Sequence, residues 1–272
     1  MKKITIALLS ITSITLFSFS SLLPFNLIKV DGAKFMMGSK EQDITADVDE
    51  QKEHEVNLDN FEISKYEVTV WEWKQYLKAN KKKLPKAPSW GWSDKAPINN
   101  ITWEEAISYC NWLSKKEGLT PAYSVKGPFY VCNFKANGYR LPTEAEWEFA
   151  AKGGKNSKGF KYSGSNTLDD VAWHKGNSNG KPHTVGTKLP NELGIYDMTG
   201  NVWEWCWDWY NTDYYKTEPN NNPKGPEMGD KKSVRGGSWD SQPNYCRPAN
   251  RISTYPNKTH EFYGFRTVRT IN

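Results

Sequence analysis

Three stretches of the chain change from loop-like polarity to the spacing of a half-buried helix, and each change opens with the same local signal. Thr69-Val70-Trp71-Glu72, Thr102-Trp103-Glu104-Glu105 and Thr143-Glu144-Ala145-Glu146 all fit a capping box. In that motif a Thr hydroxyl and a Glu carboxylate satisfy backbone N–H groups that helix geometry leaves unpaired. After Thr102, Ala106, Tyr109, Cys110 and Leu113 fall on one face and Gly118 closes the helix; after Thr143, Trp147, Ala150 and Ala151 do the same up to Gly153-Gly154. The glutamates of these helices read as caps and solvated side chains. Short apolar-rich runs predict strands at residues 55–58, 61–65, 139–141, 200–208, 234–239 and 264–270. Residues 153–193 are mostly Gly, Ser, Asn and Lys with isolated aromatics, the composition of long ordered loops. Pro and Gly recur too often for a doubly wound sheet. The pattern predicts an α+β fold of short strands, a few helices and long loops, in one domain over residues 26–272 with no linker to divide it.

The end of the chain, residues 234–272, follows a different rule. Val234-Arg235-Gly236-Gly237-Ser238-Trp239, Cys246-Arg247-Pro248-Ala249-Asn250-Arg251 and Gly264-Phe265-Arg266 form a framework. Between them, residues 240–245 and 252–263 mix small, polar and aromatic side chains without the period of two or 3.6 that burial imposes. Such segments are surface loops, and loops on a rigid frame are where binding residues concentrate. Five of the six arginines lie in this region of an otherwise lysine-using chain. The planar guanidinium fork suits Arg to bracing carbonyls and carboxylates where Lys would not serve.

Composition adds bounds. The 272 residues can bury a substantial core, and 13 Trp and 14 Tyr among 20 Gly and 15 Pro imply a loop-rich fold plugged by aromatics. The net charge of +5 comes from scattered lysines, with no basic stripe interleaved with aromatics, so nucleic acid is not an expected partner. At the N-terminus, Lys2 and Lys3 precede an uncharged apolar stretch over residues 4–23. That is the n- and h-region of an export signal, assigned to residues 1–25. The stretch is also near bilayer-spanning length, so an uncleaved anchor is the alternative and the sole expected membrane contact. The body of the protein is expected outside the cytoplasm, in the periplasm, at the cell surface or secreted. Cys110, Cys132, Cys206 and Cys246 include no CxxC pair and fit no metal spacing. In an exported protein of this size a disulfide is allowed but not required. Cys110 and Cys206, set among Trp and Tyr, read as inert buried thiols.

The motifs then become recognisable as a series. Phe35-Met36-Met37-Gly38-Ser39, Tyr66-Glu67-Val68-Thr69, Pro97-Ile98-Asn99-Asn100-Ile101-Thr102-Trp103 and Tyr139-Arg140-Leu141-Pro142-Thr143-Glu144-Ala145-Glu146-Trp147-Glu148 occur in order. Gly194-Ile195-Tyr196-Asp197-Met198-Thr199-Gly200-Asn201-Val202-Trp203-Glu204-Trp205, Arg235-Gly236-Gly237-Ser238-Trp239 and Gly264-Phe265-Arg266 follow. With this series the chain resembles the formylglycine-generating enzyme (sulfatase-modifying factor) family, a branch of the C-type-lectin fold. The resemblance implies that fold, with short twisted antiparallel strands. It does not carry the enzymatic activity across. The oxidases of the family bind copper with a pair of cysteines just before the arginine that is here Arg251. The corresponding positions hold Pro243 and Pro248, with Cys246 alone between them. A single thiolate does not make the two-sulfur Cu(I) site, so no copper and no catalytic residue are expected. The resemblance also implies a structural Ca²⁺ held by Asp197, Gly200, Val202 and Glu204, a mixture of carboxylate and carbonyl oxygens suited to that ion. The alternative is that Glu204 pairs with a buried Arg.

Some relatives are diversified by retroelements that mutate adenines in a C-terminal repeat, and the chain resembles such a variable protein of the treponemal type. Asp240, Ser241, Pro243, Asn244, Tyr245, Ile252, Ser253, Thr254, Tyr255, Asn257, Thr259, His260, Phe262 and Tyr263 all belong to the set reachable from Asn codons. They combine rigid amphipathic aromatics with small hydrogen-bonding residues, as binding faces do. The implied function is a non-catalytic exported protein that binds a variant-specific protein or glycan ligand through this face. The alternatives are a copper-dependent cysteine oxidase and a structural subunit of an envelope complex.

Overall fold

The computed structural model describes residues 27–217 and 220–271, and the expected export segment lies outside them. All three capping boxes form. Thr69, Thr102 and Thr143 stand in extended backbone ahead of α1 (Val70–Ala79), α2 (Trp103–Lys116) and α3 (Glu144–Ala151). Each Thr hydroxyl accepts from the N–H of Glu72, Glu105 or Glu146, whose carboxylate accepts the Thr N–H in return. Helix α2 stops where Gly118 takes φ +70°, and α3 stops before Gly153 at φ +89°. Two single-turn helices follow, α4 (Leu168–Val171) and α5 (Tyr214–Thr217).

Two four-stranded sheets carry the fold. The first orders β1 (Leu27–Val30), β4 (Phe61–Ser64), β12 (Val268–Thr270) and β7 (Tyr139–Arg140), all antiparallel, so the described ends of the chain meet in one sheet. The second orders β10 (Ile252–Thr254), β9 (Lys232–Arg235), β8 (Trp203–Trp209) and β11 (Tyr263–Gly264), with β11 parallel to β8. Two hairpins stand beside them, β2 (Lys34–Met37) with β3 (His54–Asn57) and β5 (Tyr123–Lys126) with β6 (Phe129–Cys132).

Several strand boundaries differ from the pattern. Strand β9 starts at Lys232 and ends at Arg235, because Gly236 and Gly237 turn to φ +101° and +80°. A side chain at Gly237 would meet Cys246 Sγ at 2.8 Å, so the double glycine also lets these segments touch. The expected strand at 264–270 is two strands in different sheets, with residues 265–267 crossing between them. Residues 252–254, expected as loop, form an edge strand on β9.

The core is aromatic. Trp73, Tyr76, Tyr109 and Phe265 interlock where α1 and α2 meet, with Trp73 and Tyr109 stacked at 5.6 Å. Trp147, Phe149, Phe61 and Val56 form a second cluster around α3. Helix α3 departs from expectation, because it is buried on every side rather than along one face. Glu144 and Glu148, expected to be solvated, are 1% and 0% exposed. Buried carboxylates persist only when paired, and their partners define the functional region.

Candidate functional site

The arginines of the C-terminal region do the bracing that their chemistry suggested. Arg235, at the end of β9, pairs with Glu148 and donates through Nη1 to the carbonyls of Ala249 (3.0 Å) and Asn250 (2.6 Å). Arg251, just before β10, makes a two-pronged pair with Glu144, Nε–Oε1 at 2.7 Å and Nη2–Oε2 at 2.9 Å, between the rings of Tyr210 and Tyr215. Arg247 grips Glu50 in the same way. Arg266, after β11, holds Glu204 with both contacts at 2.7 Å. Burial by itself would raise the Glu148 carboxyl, but Lys152 and Arg235 beside it and the Gly38 N–H hold it down at about 2. Every junction between frame and loop is therefore anchored in the body of the protein.

Between these anchors the chain is open. Asp240, Pro243, Asn244 and Tyr245 in the first segment are exposed, as are Tyr255, Asn257, Thr259 and His260 in the second. Tyr245 and Tyr255 are 45% and 49% exposed, unusual for large aromatics. Ile252, Ser253, Thr254, Phe262 and Tyr263 are half-buried, on or beside β10 and β11. Ser241 differs from the expected face: it is 7% exposed, and its Oγ accepts the Ser238 N–H at 2.9 Å. It closes the turn after the double glycine and belongs to the frame.

The sheet order explains how the face is displayed. Strands β10 and β11 are the two edges, so residues 255–262 must span the width of the sheet to connect them. Their path is pinned from below: Trp103 N donates to Pro256 O (3.0 Å), Asn100 N to His260 O (3.0 Å), and Trp203 N to Phe262 O (2.7 Å). His260 stacks on Phe262 at 3.6 Å, and Phe262 meets Tyr263 edge-on at 5.2 Å. Trp239 joins them, its Nε1 donating to Glu261 O at 3.1 Å. The first segment presents Pro243, Asn244 and Tyr245 on a 3₁₀ turn. Among the described residues no ring contact or hydrogen bond joins that turn to the second segment.

Cys246 sits at the end of the turn, fully buried against Tyr162, Leu168, Val171 and Ala172. Burial pushes its thiol up to about 12. A thiol so hard to ionise is a poor nucleophile and a poor soft ligand. Cys110, Cys132 and Cys206 are likewise free thiols.

Of the expected calcium residues, Asp197, Gly200 and Val202 fall in a tightly wound loop ahead of β8, with Asp197, Gly200 and Asn201 at φ +58°, +80° and +62°, and Glu204 is the second residue of β8. Glu204 pairs with Arg266, as the alternative anticipated, and its Oε2 also accepts Trp147 Nε1–H at 2.7 Å. Among the described residues its Oε1 accepts from Arg266 alone. Asp197 Oδ2 accepts the Gly186 N–H at 2.7 Å, whereas Oδ1 is buried without a partner among the described residues. Glu67, which the sequence did not single out, adds a third buried carboxylate, bonded to Asn201 Nδ2 (2.6 Å) and Val202 N (3.1 Å). Burial, and then the neighbouring acids, hold Glu67 well above the usual carboxylate range; burial, with a contribution from Glu204, brings Asp197 to about 6. Three buried carboxylates thus face one guanidinium, and an oxygen of Asp197 is left over. That one free carboxylate oxygen is the kind of hard donor Ca²⁺ takes. No three His, Cys, Asp or Glu side chains among the described residues form a metal cluster by themselves, so a cation here would need the backbone carbonyls of Gly200 and Val202 as well.

Capped helices embedded among short antiparallel strands and long loops, with an unpaired cysteine and clamped C-terminal segments, define a formylglycine-generating-enzyme-type domain of the C-type-lectin fold. The chain belongs to the family described as sulfatase-modifying factor enzyme 1-like domain, whose model matches residues 23–271. It is 37% identical over 247 residues to the chaperone protein LppX of Paenibacillus barcinonensis, covering 79% of this chain and 82% of that one. It is 31% identical over 206 residues to the formylglycine-generating enzyme of Thermomonospora curvata, covering 68% of this chain and 59% of that enzyme. Among solved structures, Treponema denticola variable protein 1 superposes with a TM-score of 0.77 at 32% identity, covering 89% of this chain and 94% of that one.

Proposed function

We propose that this protein is a non-catalytic exported binder whose ligand is read by residues 240–263. One observation carries the proposal: exposed aromatic and small polar residues are gathered in two segments whose ends are clamped by buried arginine–carboxylate pairs. Such an arrangement separates folding from recognition. The similarity to a treponemal variable protein supports diversification of these loops, and the ligand is then a protein or glycan that differs between variants. Inertness of Cys246 supports the absence of thiol oxidation. The uncharged stretch after Lys2 and Lys3 supports export, and the Asp197–Glu204 loop is proposed to hold one structural Ca²⁺.

The test is a pair of libraries. One randomises Asp240, Asn244, Tyr245, Tyr255, Asn257, Thr259 and His260; the other randomises Trp205, Arg235, Arg251 and Phe265. The first is expected to keep soluble yield and melting temperature while binding scatters; the second is expected to unfold. Equal rates of unfolding in the two libraries would end the proposal.

A further inference from the structure

Beside the second segment lies a cleft of ≈ 200 Å³ whose lining includes Trp90, Trp92, Asn99, Lys181 and His183. Asn99 is only 1% exposed, yet its Oδ1 has no hydrogen-bond partner among the described residues, and neither does the buried Nε1 of Trp92. Buried polar atoms are nearly always paired, and leaving one unpaired is costly. Here two residues that line one cleft each keep a buried polar atom, one acceptor and one donor, without a partner among the described residues. No carboxylate lines it, and its one lysine, Lys181, is exposed. The walls are held rigidly: His183 stacks on Trp173 at 3.7 Å, its ring bonds Ser178 O at 2.7 Å, and its backbone N–H donates to Asn201 Oδ1 at 2.9 Å.

The cleft abuts the loop face. Trp90 meets Trp239 edge-on at 5.3 Å, and Asn100, next to Asn99, holds the His260 carbonyl. None of the cleft residues belongs to the variable segments.

We propose that this cleft is a fixed subsite for a neutral sugar ring, set beside the diversified loops. A sugar ring carries several hydroxyls, each both donor and acceptor, so it can supply a donor for Asn99 Oδ1 and an acceptor for Trp92 Nε1. The indole rings suit the apolar C–H face of a pyranose, and the lack of a buried counter-charge disfavours acids and amines. A peptide amide offers the same two atoms, but it lacks a broad apolar face for the indoles. The inference deepens the binding function and rests on it: the frame would supply a common saccharide contact, and the loops would supply discrimination around it.

The experiment titrates the purified, ¹⁵N-labelled protein with glucose, galactose, mannose, N-acetylglucosamine and N-acetylgalactosamine, and separately with an acetylated dipeptide amide. The signal is the Trp92 indole N–H resonance, assigned by its loss in Trp92→Phe. At least one sugar should move it saturably at millimolar concentration, and Asn99→Leu should weaken that binding at least ~tenfold. Trp92→Phe keeps an aromatic ring and removes the donor, and should weaken binding in ligand-detected saturation transfer even if Asn99→Leu does not fold. The proposal is overturned if no sugar shifts the resonance, if only the dipeptide does, or if both variants bind as the parent does. Any of these results leaves the loop libraries free to succeed, so the two ideas fail separately.

Discussion

Glu148 lies more than eighty residues from the first loop, yet the structure makes it a support of that loop. Its carboxylate pairs with Arg235, whose other nitrogen holds the Ala249 and Asn250 carbonyls at the far end of the segment. Glu148→Gln keeps the shape and leaves Glu144, 3.7 Å from Arg235 Nε, as the remaining carboxylate beside the buried guanidinium. The carboxyl sits at about 2 in the folded protein against 4.5 when free. That difference corresponds to about 3 kcal/mol of stability at neutral pH, at the low end of the ~3–5 kcal/mol expected when one partner of a buried pair is removed. Because the folded value is depressed, the stabilisation is present above 4.5 and is lost as pH falls through about 2. In urea unfolding at pH 7 the variant should lie about 3 kcal/mol below the parent, with a melting temperature about 6–12 °C lower. By pH 3 the gap should close to about 1 kcal/mol, because folding of the parent must then remove the proton that the unfolded carboxyl carries. A variant within about 0.5 kcal/mol of the parent at pH 7, the range of ordinary surface changes, would refute the assignment of Glu148 as an anchor.

Three further outcomes follow from the same structure. Removing calcium with a chelator should lower the melting temperature of the parent and leave Asp197→Ala unmoved, since an ion that binds only the native state stabilises it by an amount that grows with the logarithm of its concentration; equal shifts in both proteins would remove the ion from that loop. Cys246 should resist Ellman's reagent until the protein is unfolded, as judged by peptide mapping, and rapid labelling of the native protein would contradict its burial. Tyr255→Ala should change stability by about 0.5 kcal/mol or less, whereas Trp205→Ala, at 0% exposure, should cost roughly 3–5 kcal/mol by chemical denaturation; similar costs would place Tyr255 in the core.

What the sequence made legible was local. A capping box is written in four consecutive residues, so the starts of α1, α2 and α3 could be read directly. The loop face was also legible, because loss of periodicity is a local property. Ser241 broke from the rest because its hydroxyl is bound by Ser238, a turn contact that composition does not reveal. The burial of Glu144 and Glu148 was hidden, since their partners Arg251 and Arg235 are remote in sequence. Strand β10 was hidden for a different reason: three edge residues paired on one side carry too short a pattern to register. Asn99 and Trp92 sat within or near motifs that were noticed, but only their surroundings show that each lacks a partner.

The arginine clamps have a consequence for how this face can change over generations. Arg235, Arg251 and Arg266 fix the chain at three points, and the second segment must also reach from one sheet edge to the other with its carbonyls meeting Trp103, Asn100 and Trp203. Exchanging one side chain for another disturbs none of these attachments. Adding or deleting a residue in the first segment disturbs the pairing of Ile252 with Val234, and in the second it shifts the carbonyls that meet Trp103, Asn100 and Trp203. The face can therefore be rewritten in letters but not in length, and its natural history should be one of substitutions alone.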